Sequence, residues 1–534
     1  MSARGLPAPG SGKGRTLSRR GFLGALGGLG GAVALGGTGL AVGRSGTLTR
    51  QTSGELLTSA LPLPRPYTVP LPVPRVAVPV RPGRFEVVQR PAMVEIIPGT
   101  RTEVWGFDGS FPGPTFDLRR GTPAIVRVRN ELPVPTSTHL HGGVTPPGSD
   151  GYPTDLVVPA GYRAPAPGAH GHHAMPGGPP PLTTHQGAKD YVYPLDQPAA
   201  TLWYHDHRMD FTAPQVWRGL AGFLLVRDEE EDALPLPEGE RDLPLMICDR
   251  AFAEDGSFRY PSLDPTLLGR PGVEGEYMEG VMGDVILVNG APWPVLEVDA
   301  ARYRLRLLNA SNARRYRLEL TPGGSFVQVG SDAGLLAAPV AHTAITVAPA
   351  ERFDVVVDFS RYPVGAEVTM VNTLATGSAR DVMRFRVARR AADDSAVPSR
   401  LAAVPPADRS SAAATRRFDF RRTGLENAAW TINGRHFTPG TPLARPRLGT
   451  TEVWRFTSDF HHPVHTHLAH FQILTRNGRA PAPTDTGWKD TVDVRPYEVV
   501  DVLARFHGYR GRYMLHCHNL EHEDMAMMAD FEVI

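Results

Sequence analysis

Tyr513-Met514-Leu515-His516-Cys517-His518-Asn519-Leu520-Glu521-His522-Glu523-Asp524-Met525-Ala526-Met527 crowds thiol, imidazole and thioether groups into one short run near the C-terminus. On an extended strand, successive side chains point to opposite faces. Cys517 therefore faces one way and His516 and His518 the other, so that one strand can touch two metal centres. The softer centre takes the Cys517 thiolate, His522 and a weakly bound methionine, which is the ligand set of a blue-copper electron-transfer site. An ordinary core strand would need no partners elsewhere in the chain. This one has them.

Three further clusters carry the same local geometry: His139-Leu140-His141, His205-Asp206-His207 and His462-Pro463-Val464-His465-Thr466-His467. Each contains a His-x-His pair, whose two imidazoles leave one strand face about 7 Å apart. That separation is too wide for one ion but suits a cluster of neighbouring ions. With His516 and His518, the four pairs make eight ligands. His462 lies three residues before His465 and so on the opposite face, and His522 lies beyond the Cys517 strand. Both therefore suit the site that holds Cys517.

On these four motifs the chain, from about residue 84 to the C-terminus, resembles the multicopper oxidases, most closely the three-domain bacterial laccases of the spore-coat and bilirubin-oxidase type. The resemblance implies an all-β protein of three cupredoxin-like Greek-key β-sandwich domains and four coppers per chain. It implies a type 1 copper on His462, Cys517 and His522 with Met527 as axial ligand; Met525 and Met528 lie close by, so Met527 rests on family spacing. It gives the type 2 copper to His139 and His465. Of the type 3 pair, one copper falls to His141, His205 and His518, the other to His207, His467 and His516. No ligand position is missing, which speaks against a metal-free relative. In such enzymes an organic donor reduces the type 1 copper, and electrons pass through Cys517 and its flanking histidines to the three-copper cluster, where dioxygen becomes water. Glu523 and Asp150 occupy positions where these laccases carry acids implicated in proton delivery. Asp206 points away from its flanking histidines and reads as a supporting or surface residue.

The expected reaction is laccase-like oxidation of phenolic, aminophenolic or bilirubin-type donors coupled to dioxygen reduction. An alternative is a cuprous metallo-oxidase for copper tolerance; relatives of that kind usually carry a methionine-rich insert, and the irregular stretch here offers only Met175. A copper-binding exported protein without turnover is the third reading. His461, His470 and Trp488 lie near the motifs and are candidates for a donor pocket, although packed or exposed roles suit each of them better. The stretch 165 to 180, with His170, His172, His173 and Met175, reads as a surface loop or as a low-affinity copper-collecting segment.

Composition bounds the rest. A chain of 534 residues accommodates about three domains, and a formal charge of +1 carries no nucleic-acid or membrane-surface signal. The expected partners are a small reducing substrate and dioxygen, with a monomeric chain and no stable membrane association. Cys248 and Cys517 are the only cysteines, so no disulfide framework is implied, and Cys248 in its apolar run reads as an inert core thiol. Ser18-Arg19-Arg20-Gly21-Phe22-Leu23 before a Gly/Ala/Leu/Val run looks like a twin-arginine export signal, with an uncleaved anchor as the alternative to a removable one, which would place the protein in an extracellular, periplasmic or cell-envelope location.

The many glycines and prolines fit short strands joined by turns. Ala124-Ile125-Val126-Arg127-Val128-Arg129 and Tyr303-Arg304-Leu305-Arg306-Leu307 alternate apolar with basic residues, as half-exposed strands do. A faint repeat, strand then Asp/Asn-Gly then bulky residue, recurs at Asp108-Gly109, Asn289-Gly290 and Asn433-Gly434. The expected layout is a signal region at 1–43, a proline-rich arm at 44–83 lying along the first domain, sandwiches at 84–235, 236–390 and 416–534, and a linker at 391–415. Since the histidine pairs fall only in the first and last sandwiches, the cluster belongs where those two meet. The middle sandwich is then a spacer and part of a substrate wall.

Overall fold

The computed structural model describes residues 54–162, 182–424 and 429–534; the export-signal reading and the His-rich stretch 165–180 lie outside the described residues. Six larger sheets form three packed pairs among the described residues. In the first pair, the sheet holding Arg84–Val94 and Ala124–Asn130 packs on the sheet holding Ala200–Asp206 and Thr138–His141, with Val87, Phe116, Leu202 and Tyr204 sealed between them. The second pair is built around Asp242–Phe252, Arg302–Asn309 and Arg352–Asp358. The third sets Ala412–Thr423 and Thr451–Ser458 against a sheet ordered Thr491–Val494, His462–Thr466, Gly511–Cys517, Met528–Val533. The architecture is thus all-β, in three cupredoxin-like sandwiches, as the resemblance implied.

The faint repeat proves to be one device used three times. Asp108, Asn289 and Asn433 all have positive φ, as do the glycines after them, which is the backbone of a tight type I′ turn. Each Asx side chain also accepts a backbone N–H from a neighbouring strand: Val88, Met246 and Asp419, all at 2.8 Å. In every sandwich the strand so tied pairs parallel with a strand that begins 12 to 17 residues after the turn's glycine.

Two expectations change. The proline-rich arm runs first along the middle sandwich, where Glu55–Leu57 pairs with Val281–Gly283 and the Leu71 N–H donates to Val295 O; it reaches the first sandwich only near Ala77. Arg304 and Arg306 do not face water. They are buried against Glu231, Asp242 and Asp354, because the strand face opposite the core is covered by the first sandwich and offers carboxylates.

Candidate metal centre

Strand register does the first part of the assembly. Thr138–His141 runs antiparallel to Ala200–Asp206 with His139 opposite His205, and His462–Thr466 runs antiparallel to Gly511–Cys517 with His465 opposite His516 and Val464 opposite Cys517. One side of each pairing thereby gathers histidines. The other side of the second pairing keeps Cys517 in the apolar core of the third sandwich.

In that core His462 Nδ1 lies 3.3 Å from Cys517 Sγ, His522 Nδ1 lies 3.6 Å from the same sulfur, and the two nitrogens are 3.1 Å apart. His522 is brought there by the short helix Leu520–Asp524, capped by Asn519, whose N–H points at Cys517 Sγ from 3.4 Å. Met527 is fully buried in the same apolar cluster; its carbonyl accepts from the Cys517 N–H and its N–H donates to His522 O. Trp430 stacks on the His522 ring at 3.7 Å between centroids, and Asp459 lies 3.4 Å from His462 Nε2.

The other eight histidines meet between the first and third sandwiches. His139 Nε2 faces His465 Nε2 at 3.4 Å, and His467 Nε2 faces His516 Nε2 at 3.2 Å, with His207 completing the second group. His141, His205 and His518 form a looser trio with ring centroids 5.1 to 5.8 Å apart. Rings within each His-x-His pair are 5.0 to 5.9 Å apart, closer than backbone spacing alone suggests, because the side chains converge and three of the pairs end just beyond their strands.

Outer ring nitrogens are held by the protein. His139 Nδ1 and His467 Nδ1 meet Asp150 through its carbonyl (2.5 Å) and its Oδ2 (2.6 Å) respectively. His205 Nδ1 meets Asp206 O, His465 Nδ1 meets Asp490 O, and His516 Nδ1 meets Cys517 O at 3.2 Å, with Glu523 Oε2 3.1 Å away. His141 is turned the other way, with Nε2 on Asp490 Oδ1 at 3.0 Å. That pattern leaves inward-facing lone pairs. His141 Nδ1, His205 Nε2, His207 Nε2 and both nitrogens of His518 are buried without a hydrogen-bond partner, at a cost of about 1–3 kcal/mol each that a bound cation would remove at one nitrogen of each ring. Burial pushes all eight imidazoles below their ordinary range, His207 and His516 to about 4, so at neutral pH they are uncharged donors. The donor set, nitrogen-rich at one site and thiolate-bearing at the other, fits copper.

The two predicted carboxylates are buried rather than solvated. Burial drives Asp150 well above the ordinary carboxylate range, and raises Glu523 although His207 pulls it down. Asp206 is no surface residue: it is fully buried and accepts from the Ser137 and Arg208 N–H groups and the Gln215 amide. Of the pocket candidates, His461 and His470 are buried and paired, with Asp493 and Gly142 O respectively, and Trp488 is half-buried. Cys248 is buried, its thiol pushed up to about 11 by burial, in keeping with an inert core residue. Sequence reading missed Trp203, stacked on His205 at 4.2 Å, and Asp490, which touches His141 and His465. The one hint was the charged pair Lys489-Asp490 directly before the short Val-containing run Thr491–Val494.

Residues 410–534 match a sequence family described as multicopper oxidase, as do residues 90–164 and 168–231. A laccase of Bacillus stratosphericus is 36% identical, over 87% of this chain and 98% of its own. A bilirubin oxidase of Albifimbria verrucaria is 34% identical, over 87% and 81%. The crystal structure of a laccase from Pediococcus acidilactici superposes with a TM-score of 0.75 at 31% identity, covering 90% of this chain and 95% of that one. A sulfur-bearing triangle and an eight-histidine cluster joined by one strand, in a chain this similar to such proteins along most of its length, place it in the multicopper oxidase family, among the copper-dependent oxidoreductases that use dioxygen.

Proposed function

We propose that the protein is a laccase-like oxidase holding four coppers: type 1 on His462, Cys517, His522 and Met527, type 2 on His139 and His465, and the type 3 pair on the remaining six histidines. The observation that carries the reading is the His462–Cys517–His522 triangle, joined through the His516-Cys517-His518 backbone to histidines from both ends of the chain. When bound, copper supplies one-electron redox chemistry at the thiolate site and dioxygen reduction at the histidine cluster. The protein's part is to hold, insulate and protonate. Cys517 and its neighbours give an unbroken covalent path between the sites. Asp150 keeps His139 and His467 in one tautomer, and its Oδ1, buried without a hydrogen-bond partner, is suited to hold a proton. Glu523 spans His207 and His516 and can do the same.

The donor would be a phenol, an aminophenol or a bilirubin-type pigment, acting on a monomeric, exported protein; Ser18-Arg19-Arg20-Gly21-Phe22-Leu23 supports export, and among the described residues no helix is long and apolar enough to cross a membrane. Oxygen uptake by the copper-loaded protein, measured with a phenol, an o-aminophenol, bilirubin and Cu(I) while copper per chain is assayed, tests this. Uptake with one of the organic donors at about four coppers per chain is expected. Uptake with Cu(I) alone would replace the reading with a cuprous oxidase, and no uptake with any donor would reject turnover.

A further inference from the structure

The middle sandwich carries none of the proposed copper ligands, yet one of its side chains grips a residue that touches two of them. Arg352, fully buried at the start of Arg352–Asp358, places its guanidinium where all three sandwiches meet. Nε donates to Thr201 O on the strand that carries Trp203 and His205. Nη1 donates to Ala350 O and to Asp490 Oδ1, and Nη2 to Asp332 O and Asp490 Oδ2. A guanidinium has five N–H donors in a fixed fork, and here each has an acceptor.

The contact with Asp490 matters because of what residue 490 does next. Its Oδ1 faces His141 Nε2 at 3.0 Å and its carbonyl faces His465 Nδ1 at 2.9 Å. Both are acceptors only, so each dictates which ring nitrogen carries hydrogen and which lone pair turns inward. His141, alone among the partnered cluster histidines, is thereby left with Nδ1 facing in. Room for the pair is made by Gly142, the residue after His141: a Cβ there would stand 2.7 Å from Arg352 Nη2 and 2.8 Å from Asp490 Oδ2. Opposite charges so enclosed are costly to separate, which favours one geometry over a range of them.

We infer that Arg352 is a positioning residue for the histidine cluster, acting through Asp490 to fix the tautomer and orientation of His141 and His465 and so to lock the first and third sandwiches into metal-binding register. This rests on the copper-cluster reading above. Lysine at 352 would keep the charge with three donors and no fork, and Asp490→Asn would keep the shape without the charge.

The test compares wild type, Arg352→Lys and Asp490→Asn as full-length chains, titrated with copper from the metal-free state and read by blue absorbance, copper per chain and oxygen uptake. We expect both variants to keep the Cys517 site's blue absorbance while cluster copper affinity falls about 10- to 100-fold, with oxygen uptake falling alongside. Wild-type affinity and uptake in both variants would overturn the inference alone. So would parallel loss of blue and cluster copper with a lower melting temperature, since that is a general folding role. A wild-type chain that never exceeds one copper would instead overturn the cluster reading and this inference with it. Histidine ¹⁵N NMR of the metal-free wild type supplies a check independent of variant folding. His141 should carry its hydrogen on Nε2, and hydrogen on Nδ1 would refute the assignment.

Discussion

Glu523 stands between two cluster histidines, Oε1 3.4 Å from His207 Nδ1 and Oε2 3.1 Å from His516 Nδ1. Replacing it with glutamine preserves size and removes the exchangeable carboxyl proton. Glu523→Gln should therefore keep full blue absorbance and copper content yet lose about 100-fold or more of its oxygen uptake; normal turnover in a fully loaded variant would remove Glu523 from proton delivery. The grouping of the candidate ligands was legible in the sequence because strand alternation converts spacing directly into facing: Cys517 and its flanking histidines separate, and His462 joins Cys517. Asp490 and Arg352 were not legible. Their roles depend on a contact between residues 138 positions apart in different sandwiches, and no local spacing encodes that.

At the scale of elements, the helix Leu520–Asp524 is too short to be stable alone and depends on its ends. Asn519 caps it while its amide donates to Glu279 O at 3.0 Å, and Asp524 accepts the N–H groups of Thr212 and Ala213 at the start of Thr212–Arg218 in the first sandwich. His522 therefore approaches Cys517 only while this turn is wound. Asn519→Ala should cost about 1 kcal/mol of stability, and it should let a chelator bleach the blue site at lower concentration than it strips cluster copper. A ratio of the two sensitivities unchanged from wild type would separate the cap from the metal site. Strands with clean alternation were readable, as at Ala124–Asn130, whereas Arg302–Asn309 misled because its basic residues face buried carboxylates that only the tertiary fold supplies.

Across the whole molecule, the first and middle sandwiches are joined by ion pairs as well as apolar contact. Glu231 receives Arg304, Arg306 and Arg227; burial alone would raise its carboxyl, but the three guanidinium groups bring it down to about 2 from 4.5. A carboxyl lowered on folding stabilises the protein above its unfolded value and loses that contribution as pH falls through the folded one. Glu231 should thus contribute about 3 kcal/mol above pH 4.5, fading toward pH 2. Thermal unfolding of wild type and Glu231→Gln across this range should show a gap that closes on acidification; a gap constant with pH would mean packing, not charge, is responsible. The three-sandwich layout was readable from the Asx-Gly repeat, but the order in which the arm visits the sandwiches was not, since its prolines carry no periodic signal. One consequence concerns time. His139 and His465, whose nitrogens meet at 3.4 Å, are 326 positions apart, and a ribosome adding about 5–20 residues per second separates their synthesis by many seconds. Throughout that interval the first sandwich carries four histidines with no counterpart to close around them. A complete cluster is therefore a property of the finished chain, and a site built from both sandwiches cannot close around a metal before translation has delivered the second of them.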